Sequence, residues 1–101
     1  KNLVCLIDWN KGQNDGWSED FSSMYDNLRE RISSFGWDCE TIDGHDVNVI
    51  STKLAVESEK PRCIILNTMK GKGVSFMEDP SWHAKVPTEE QYEQAIKELG
   101  V

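Results

Sequence analysis

Two short stretches made up wholly of apolar residues constrain the fold of this chain more than any other feature. Residues 3–7 are Leu-Val-Cys-Leu-Ile, and residues 63–66 are Cys-Ile-Ile-Leu. Runs of this length without polar alternation are typical of strands buried on both faces, as in parallel sheets. We therefore expect two buried strands, one ending before Asp8 and the other running from Arg62 to Asn67.

Helical periodicity lies between and after these strands. A first helix is predicted between Ser18, which with Glu19 and Asp20 forms a start signal, and Gly36, a typical C′ residue. Its apolar residues are Phe21, Met24, Tyr25, Leu28, Ile32 and Phe35. A second, weaker helix has Val47, Ile50 and Leu54 on one face.

The remaining elements complete an alternating order. A short strand is predicted over residues 37–42. A capping box at residues 88–91 (Thr-Glu-Glu-Gln) predicts a last helix that carries Tyr92, Ile96 and Leu99 and ends at Gly100. The order strand, helix, strand, helix, strand, loop, helix predicts an α/β fold: an open parallel sheet with flanking helices.

Composition and charge narrow the possible partners. The 101 residues carry a formal net charge of −7, and no run of Lys or Arg supplies the basic patch that nucleic-acid binding requires. No apolar run is long enough to cross a bilayer. The three cysteines are widely spaced inside predicted strands, which favours reduced thiols over disulfides or a zinc site. We expect a cytoplasmic protein with no nucleic-acid or membrane partner.

The start of the chain also suggests how it is organised. Lys1 and Asn2 lead directly into an apolar strand. Natural domains seldom begin at the edge of a central strand, so we interpret residues 1–101 as a single fragment of a larger domain.

Ligands of open α/β sheets bind beyond the carboxyl ends of the strands, so the loops there are the candidate sites. The loop after Ile7 offers oxygen donors and a glycine able to turn its carbonyl inward: Asp8, Asn10, Gly12, Asn14 and Asp15. Oxygen donors suit Mg²⁺. Clusters of Asp, Asn and Gly also form ordinary turns, so both interpretations stay open.

Two further segments carry chemistry. The loop of residues 70–73, Lys-Gly-Lys-Gly, could approach an anion through its amide groups, although it lacks the Walker A pattern and a solvated loop is the alternative. His83, next to Trp82, could move a proton or donate to a hydroxyl; a plain surface histidine is the alternative. His45, between Gly44 and Asp46, is expected to brace a turn.

Together these segments resemble transketolase. The strand of residues 3–8 followed by Trp9-Asn10, then residues 15–16 (Asp-Gly), resembles the second half of the thiamine-diphosphate motif, which opens with Gly-Asp-Gly and closes with an Asn. Residues 35–37 and 43–46 resemble the segment that follows in transketolases. Residues 68–78, with the later Trp82-His83, resemble the transketolase Lys-Gly-Lys-Gly loop and its downstream Trp-His. The resemblance covers nearly the whole chain and identifies it as the C-terminal half of a thiamine-diphosphate-binding domain.

The resemblance implies a set of site residues. Asn10 would bind Mg²⁺ through its side chain and Gly12 through its carbonyl oxygen, and the metal would hold the diphosphate of thiamine diphosphate. Lys70 would help to neutralise this cofactor. His83 would be catalytic, reaching both the cofactor and a hydroxyl of a sugar-phosphate substrate. The reaction implied is transfer of a two-carbon ketol unit from a ketose phosphate to an aldose phosphate.

The resemblance also implies missing parts. Neither the Gly-Asp-Gly block nor the pyrimidine-binding domain, whose Glu activates the cofactor, is present in the 101 residues, and Trp9 and Trp17 flank the predicted metal loop with unusual bulk. We expect the chain alone to be inactive, and the intact protein to be a homodimer or a split-subunit assembly. The alternatives are a fragment of a deoxyxylulose-phosphate-synthase-like enzyme, disfavoured by Trp82-His83, and a non-catalytic α/β interaction module.

Overall fold

The structure, a computed structural model, describes residues 1–13, 16–18 and 27–101. The strands in these ranges are β1 (Val4–Trp9), β2 (Gly12–Gln13), β3 (Gly16–Trp17), β4 (Asp38–Asp43) and β5 (Arg62–Asn67). The helices are α1 (Leu28–Ser34), α2 (Val47–Leu54) and α3 (Glu89–Leu99), and two 3-10 turns span Ser75–Met77 and Pro80–Trp82. The described residues fall into two compact units, the first with residues 1–10 and 27–68 and the second with residues 11–13, 16–18 and 69–101.

The first unit is built on a three-stranded parallel sheet in the order β1-β5-β4. β5 is central, and its residues Cys63, Ile64 and Ile65 are at most 2% exposed. The predicted open parallel sheet with flanking helices is therefore confirmed, and the predicted third strand has the bounds expected from its sequence.

The two helices of this unit lie on opposite faces of the sheet. Ile32 of α1 borders a cavity with Cys63, whereas the neighbouring Arg62 donates to the carbonyl oxygens of Lys53 and Val56 at the end of α2. Consecutive residues of a strand point to opposite faces. The arrangement follows from right-handed crossovers, because the chain moves from β1 to β4 and then returns to β5.

The prediction that the first strand is buried on both faces is wrong for this chain. β1 alternates between exposed and half-buried residues, with Val4 42% and Leu6 47% exposed. Within the described residues β1 pairs with β5 alone, so it is an edge strand. An unbroken apolar run shows that both faces can be covered, but coverage also depends on which elements are packed there.

Both helices of the first unit differ in part from their predictions. α1 ends as expected, with Gly36 in the left-handed region at φ +86°. The predicted first turns, with Glu19, Asp20, Phe21, Met24 and Tyr25, lie outside the described residues. In α2 the predicted face is wrong for two of its three residues: Ile50 is half-buried as expected, but Val47 is 75% and Leu54 44% exposed. The other half-buried residues of α2 are Val49 and Lys53. Asp46 begins α2 by accepting from the amides of Asn48 and Val49.

The second unit contains a short hairpin, the two 3-10 turns and α3. The predicted capping box is confirmed: the Gln91 amide donates to Thr88 Oγ1 over 3.3 Å, and the Thr88 amide donates to Gln91 Oε1 over 2.9 Å. Gly100 ends α3 at φ +72°. Among the described residues of this unit, Val74, Pro80 and Ala95 are buried.

The hairpin is a feature that the sequence did not predict. β2 and β3 pair antiparallel inside the stretch expected to be a loop, and Ser18 closes it by donating to the Lys11 carbonyl oxygen over 2.7 Å. Among the described residues, no helix has the length and apolar content that a bilayer crossing demands.

Candidate functional site

The carboxyl edge of the parallel sheet lies where the three strands end, at Trp9, Asp43 and Asn67. Hydrogen bonds join the segments that leave it. The Thr68 amide donates to the Trp9 carbonyl oxygen over 3.2 Å, and the Gly44 amide donates to the Asn67 carbonyl oxygen over 3.0 Å. The loops after β1 and β5 therefore begin side by side.

Polar side chains hold this edge in shape. The Thr68 hydroxyl donates a short hydrogen bond to the Asp8 carboxylate, across the two neighbouring strands. Asp43 accepts from the His45 amide over 2.8 Å, so the Asp43 carboxylate braces this turn. Gly44 packs so closely that an added Cβ would collide with a Thr68 methyl carbon, so a side chain at this turn would displace Thr68.

A polar groove of about 440 Å³ opens beside this edge on the α1 side of the sheet. The residues that line it come from the strand ends and from the start of α1: Trp9, Asn27, Leu28, Arg29, Glu30, Thr41, Ile65 and Asn67. None of the four predicted site residues belongs to this set.

The four predicted site residues are divided between the two units. Asn10 is half-buried and directly follows β1 in the first unit. Gly12, Lys70 and His83 belong to the second unit, where Gly12 pairs with Trp17, Lys70 is half-buried and His83 is exposed. Within this unit β3 packs against the Pro80–Trp82 turn, so the hairpin that contains Gly12 lies next to the turn that precedes His83.

The Lys-Gly-Lys-Gly loop is tightly folded. The Val74 amide donates to the Gly71 carbonyl oxygen over 3.1 Å, and the Gly73 amide donates to Glu78 Oε1 over 3.2 Å. Gly71 has φ +69°, and a Cβ added there would collide with the carbonyl group of Met77. Only glycine fits at this position, because the backbones of two segments are in contact.

The turn before His83 is braced by its neighbours. Asp79 accepts from the Ser81 amide over 2.8 Å, and hydrogen bonds from Ser81 hold the pKa of Asp79 below its ordinary value. The Trp82 ring lies 5.2 Å from the Phe76 ring, tilted by 59°, and the Lys85 ammonium is 5.6 Å from the Trp82 ring centre. The backbone preceding His83 is therefore held by a cap and a ring contact.

The donor types of the predicted metal loop suit a hard cation. The Asn10 side-chain oxygen and the Gly12 carbonyl oxygen are the kind of ligand that Mg²⁺ accepts. Two other predicted donors, Asn14 and Asp15, lie outside the described residues. Among the residues described, no group of three or more His, Cys, Asp or Glu could hold a metal.

The three cysteines form a row across the sheet. Cys63 is level with Cys5 on one side and with Cys39 on the other, and all three are free thiols. Burial raises the pKa of the Cys63 thiol to about 12 and also raises that of Cys39. Cys63 is therefore a neutral thiol near pH 7, and its role is packing, as expected.

The fold defines the class: an open α/β protein, with a parallel sheet and helices on both faces. In proteins of this class, ligands bind in the crevice beyond the carboxyl ends of the strands. No family model matches the chain. It is 41% identical over 103 residues to a subunit of the apulose-4-phosphate transketolase of Phocaeicola vulgatus, covering 98% of this chain and 36% of that protein. It is 38% identical over 104 residues to a subunit of the 6-deoxy-6-sulfo-D-fructose transketolase of a Clostridium species, covering 97% of this chain and 37% of that protein.

A solved structure agrees with these relatives. The transketolase of Campylobacter jejuni superposes with a TM-score of 0.80 at 26% identity, covering 98% of this chain and 16% of that one. The chain is thus similar to transketolases and transketolase subunits along nearly its whole length. It spans about a third of the length of the subunit relatives and about a sixth of the Campylobacter protein.

Proposed function

We propose that this chain is part of a transketolase that uses thiamine diphosphate and Mg²⁺ to transfer a two-carbon ketol unit between sugar phosphates. One observation carries the proposal: the hairpin with Gly12 packs against the turn before His83. This contact brings together two segments, far apart in the chain, that the proposed site needs. Similarity to transketolases over 97–98% of the chain supports the same function.

Each proposed site residue has a distinct task. Asn10 and Gly12 hold Mg²⁺ through their oxygen atoms, and Lys70 places a positive charge near the diphosphate. His83 hydrogen-bonds a hydroxyl of the donor sugar and assists proton transfer as the carbon–carbon bond breaks. Thiamine diphosphate, when bound, supplies the carbanion chemistry. The tight turns around Lys70 and His83 support these tasks, because they fix the backbone from which both side chains extend.

We further propose that the parent protein is a split-subunit or homodimeric assembly that operates in the cytoplasm. Two relatives are named as transketolase subunits, and the chain covers about a third of each. In this proposal residues 1–101 are the C-terminal half of the cofactor-binding domain. The remaining metal ligand and the pyrimidine-binding domain or subunit come from other parts of the assembly, and the isolated chain has no activity.

Calorimetric titration tests the incomplete-site part of the proposal. The isolated chain, titrated with Mg²⁺ and thiamine diphosphate, should give no binding heat at concentrations where the intact parent saturates. Tight binding by the isolated chain would refute this part of the proposal. DNA sequence upstream of the Lys1 codon gives an independent check, because the proposal requires a Gly-Asp-Gly block there.

Turnover by the intact parent tests the reaction itself. The compounds to be assayed as donors are ordinary ketose phosphates and the two sugars after which the relatives are named, apulose 4-phosphate and 6-deoxy-6-sulfo-D-fructose. Pyruvate is assayed as well, because it is the donor expected of a deoxyxylulose-phosphate-type synthase. Transfer from pyruvate alone would favour that alternative.

Variants of the parent assign the site residues. His83→Ala should lower kcat by on the order of a hundredfold, in the range expected for removing an acid–base group, while His45→Ala, the matched control, leaves it unchanged. Asn10→Ala and Lys70→Ala should weaken cofactor binding, with Lys60→Ala as the control for charge. Unchanged turnover in a triple variant at positions 10, 70 and 83 would favour a non-catalytic module.

A further inference from the structure

The last turn of α3 contacts the segment that follows the Lys-Gly-Lys-Gly loop. Glu98 accepts two hydrogen bonds from Ser75, one from its amide to Oε2 over 2.6 Å and one from its hydroxyl to Oε1 over 2.9 Å. Gln94, one helical turn earlier, donates to Oε1 of the same carboxylate over 2.7 Å. Both carboxylate oxygens are therefore engaged, and the backbone at Ser75 is fixed relative to α3.

The location of Glu98 is unfavourable for the helix taken alone. The C-terminus of a helix carries a partial negative charge, so a carboxylate in the last turn is usually destabilising there. Here Gln94 and Ser75 donate to it instead and hold its pKa below the ordinary value. Gln94 belongs to the same helix, whereas Ser75 is a tertiary partner, 23 residues away in the chain.

A second contact joins α3 to the same loop. Gly73 has φ +98°, and a Cβ added there would lie 3.2 Å from a methyl carbon of Leu99, the residue after Glu98. The Gly73 amide is also held by Glu78. The end of this loop therefore lies beside Leu99, its Gly73 amide is held by Glu78, and Glu98 holds Ser75 two residues further on.

We propose that Glu98 is a positioning residue for the proposed cofactor site: through Ser75 it sets the conformation of the Lys70–Gly73 loop and hence the place of the Lys70 ammonium. This inference rests on the proposed function. In this proposal Glu98 acts through the backbone between Ser75 and Lys70.

The test uses the intact parent protein and the variant Glu98→Ala, with Glu93→Ala as the matched control on an exposed position of the same helix. In the absence of cofactor, hydrogen exchange at the Gly73 and Ser75 amides should accelerate in Glu98→Ala and not in the control. Exchange at Ile64, in the central strand, should stay the same in both, because it reports on the sheet and not on the loop.

Cofactor affinity is the second measurement. Glu98→Ala should raise the dissociation constant for thiamine diphosphate with Mg²⁺ by on the order of tenfold, as outer-shell partners of bound groups typically do. Glu98→Gln keeps one acceptor oxygen and should recover part of this loss. Ser75→Ala removes the hydroxyl but keeps the amide contact, and should lose less affinity than Glu98→Ala.

Each outcome decides one question. Unchanged hydrogen exchange at the Gly73 and Ser75 amides would show that Glu98 does not fix the loop, and would overturn the proposal. Faster exchange with unchanged cofactor affinity would mean that Glu98 stabilises the loop without positioning Lys70, and the proposal would fail while the proposed function stands. If the unmodified parent binds no thiamine diphosphate, the proposed function fails and the positioning role with it.

Discussion

The guanidinium of Arg62 donates to the carboxylate of Glu40 over 3.2 Å, from the central strand β5 to the neighbouring strand β4. The Arg62 side chain is only 6% exposed. The same guanidinium donates to the carbonyl oxygens of Lys53 and Val56 at the end of α2, and Lys53 contacts Glu40 over 2.5 Å. One buried cation thus joins two strands to the C-terminus of a helix.

Arg62→Ala should lower the free energy of unfolding by about 3 kcal/mol, because it removes a buried donor to the carbonyl oxygens of Lys53 and Val56 and to the carboxylate of Glu40. Urea unfolding of wild type and variant measures the change. Arg31→Ala, at an exposed position of α1, is the control and should cost less than about 0.5 kcal/mol. Equal costs at the two positions would show that the Arg62 network adds no stability.

Leu6 and Ile64 allow the stability contribution of the edge strand β1 to be compared with that of the central strand β5. They are level with each other on neighbouring strands, yet Leu6 is 47% exposed and Ile64 fully buried. Ile64→Ala should cost about 2–5 kcal/mol, because it removes buried methyl groups and leaves a cavity. Leu6→Ala should cost less than about half as much. Similar losses in thermal unfolding experiments would mean that the exposed face of β1 is covered in solution.

Gly71, in the Lys-Gly-Lys-Gly loop, and Gly36, at the end of α1, allow the cost of adding a side chain to be compared at a crowded and an open position. Both have positive φ, but a Cβ at Gly36 would meet nothing within 4 Å, whereas one at Gly71 would collide with the Met77 backbone. Gly36→Ala should cost about 1 kcal/mol, the penalty for the left-handed conformation. Gly71→Ala should cost at least twice that or displace the loop, as seen in unfolding experiments and amide chemical shifts. A cost equal to that of Gly36→Ala would contradict the observed close approach.

Cys63 should make stability depend on pH in the alkaline range. Burial raises the folded-state pKa of its thiol from 9.0 to about 12. Because the pKa is raised, the contribution of the neutral Cys63 thiol to the free energy of unfolding is complete below pH 9.0 and is lost as the pH rises toward 12. The wild-type free energy of unfolding should fall in this window by up to about 1.4 kcal/mol per pH unit more steeply than that of Cys63→Ala. Parallel pH profiles of the two proteins would contradict the shift.

Features set by neighbouring residues could be predicted from the sequence. The Thr88 capping box, the Gly36 and Gly100 helix ends and the bounds of β5 depend on hydrogen bonds and apolar patterns within a few residues, and the structure has them as expected. The four site residues remain predictions, because their convergence depends on parts of the molecule beyond each local segment.

Other features could not be predicted because they depend on distant contacts. Whether an apolar run is central or at an edge is decided by the strands that pair with it, so β1 and β5 had similar sequences and different burial. The inward face of α2 depends on its position over β4, and the residues that contact Ser75 or Arg62 lie far away in the chain.

The sequence by itself determined the α/β order of elements, the parallel sheet and the helix ends, because hydrophobic periodicity and backbone hydrogen bonding act over short distances along the chain. The tertiary structure alone decided which strand is central, that three cysteines lie in one row and that Glu98 meets Ser75. These contacts join residues brought together by chain crossovers, and no local pattern carries that information.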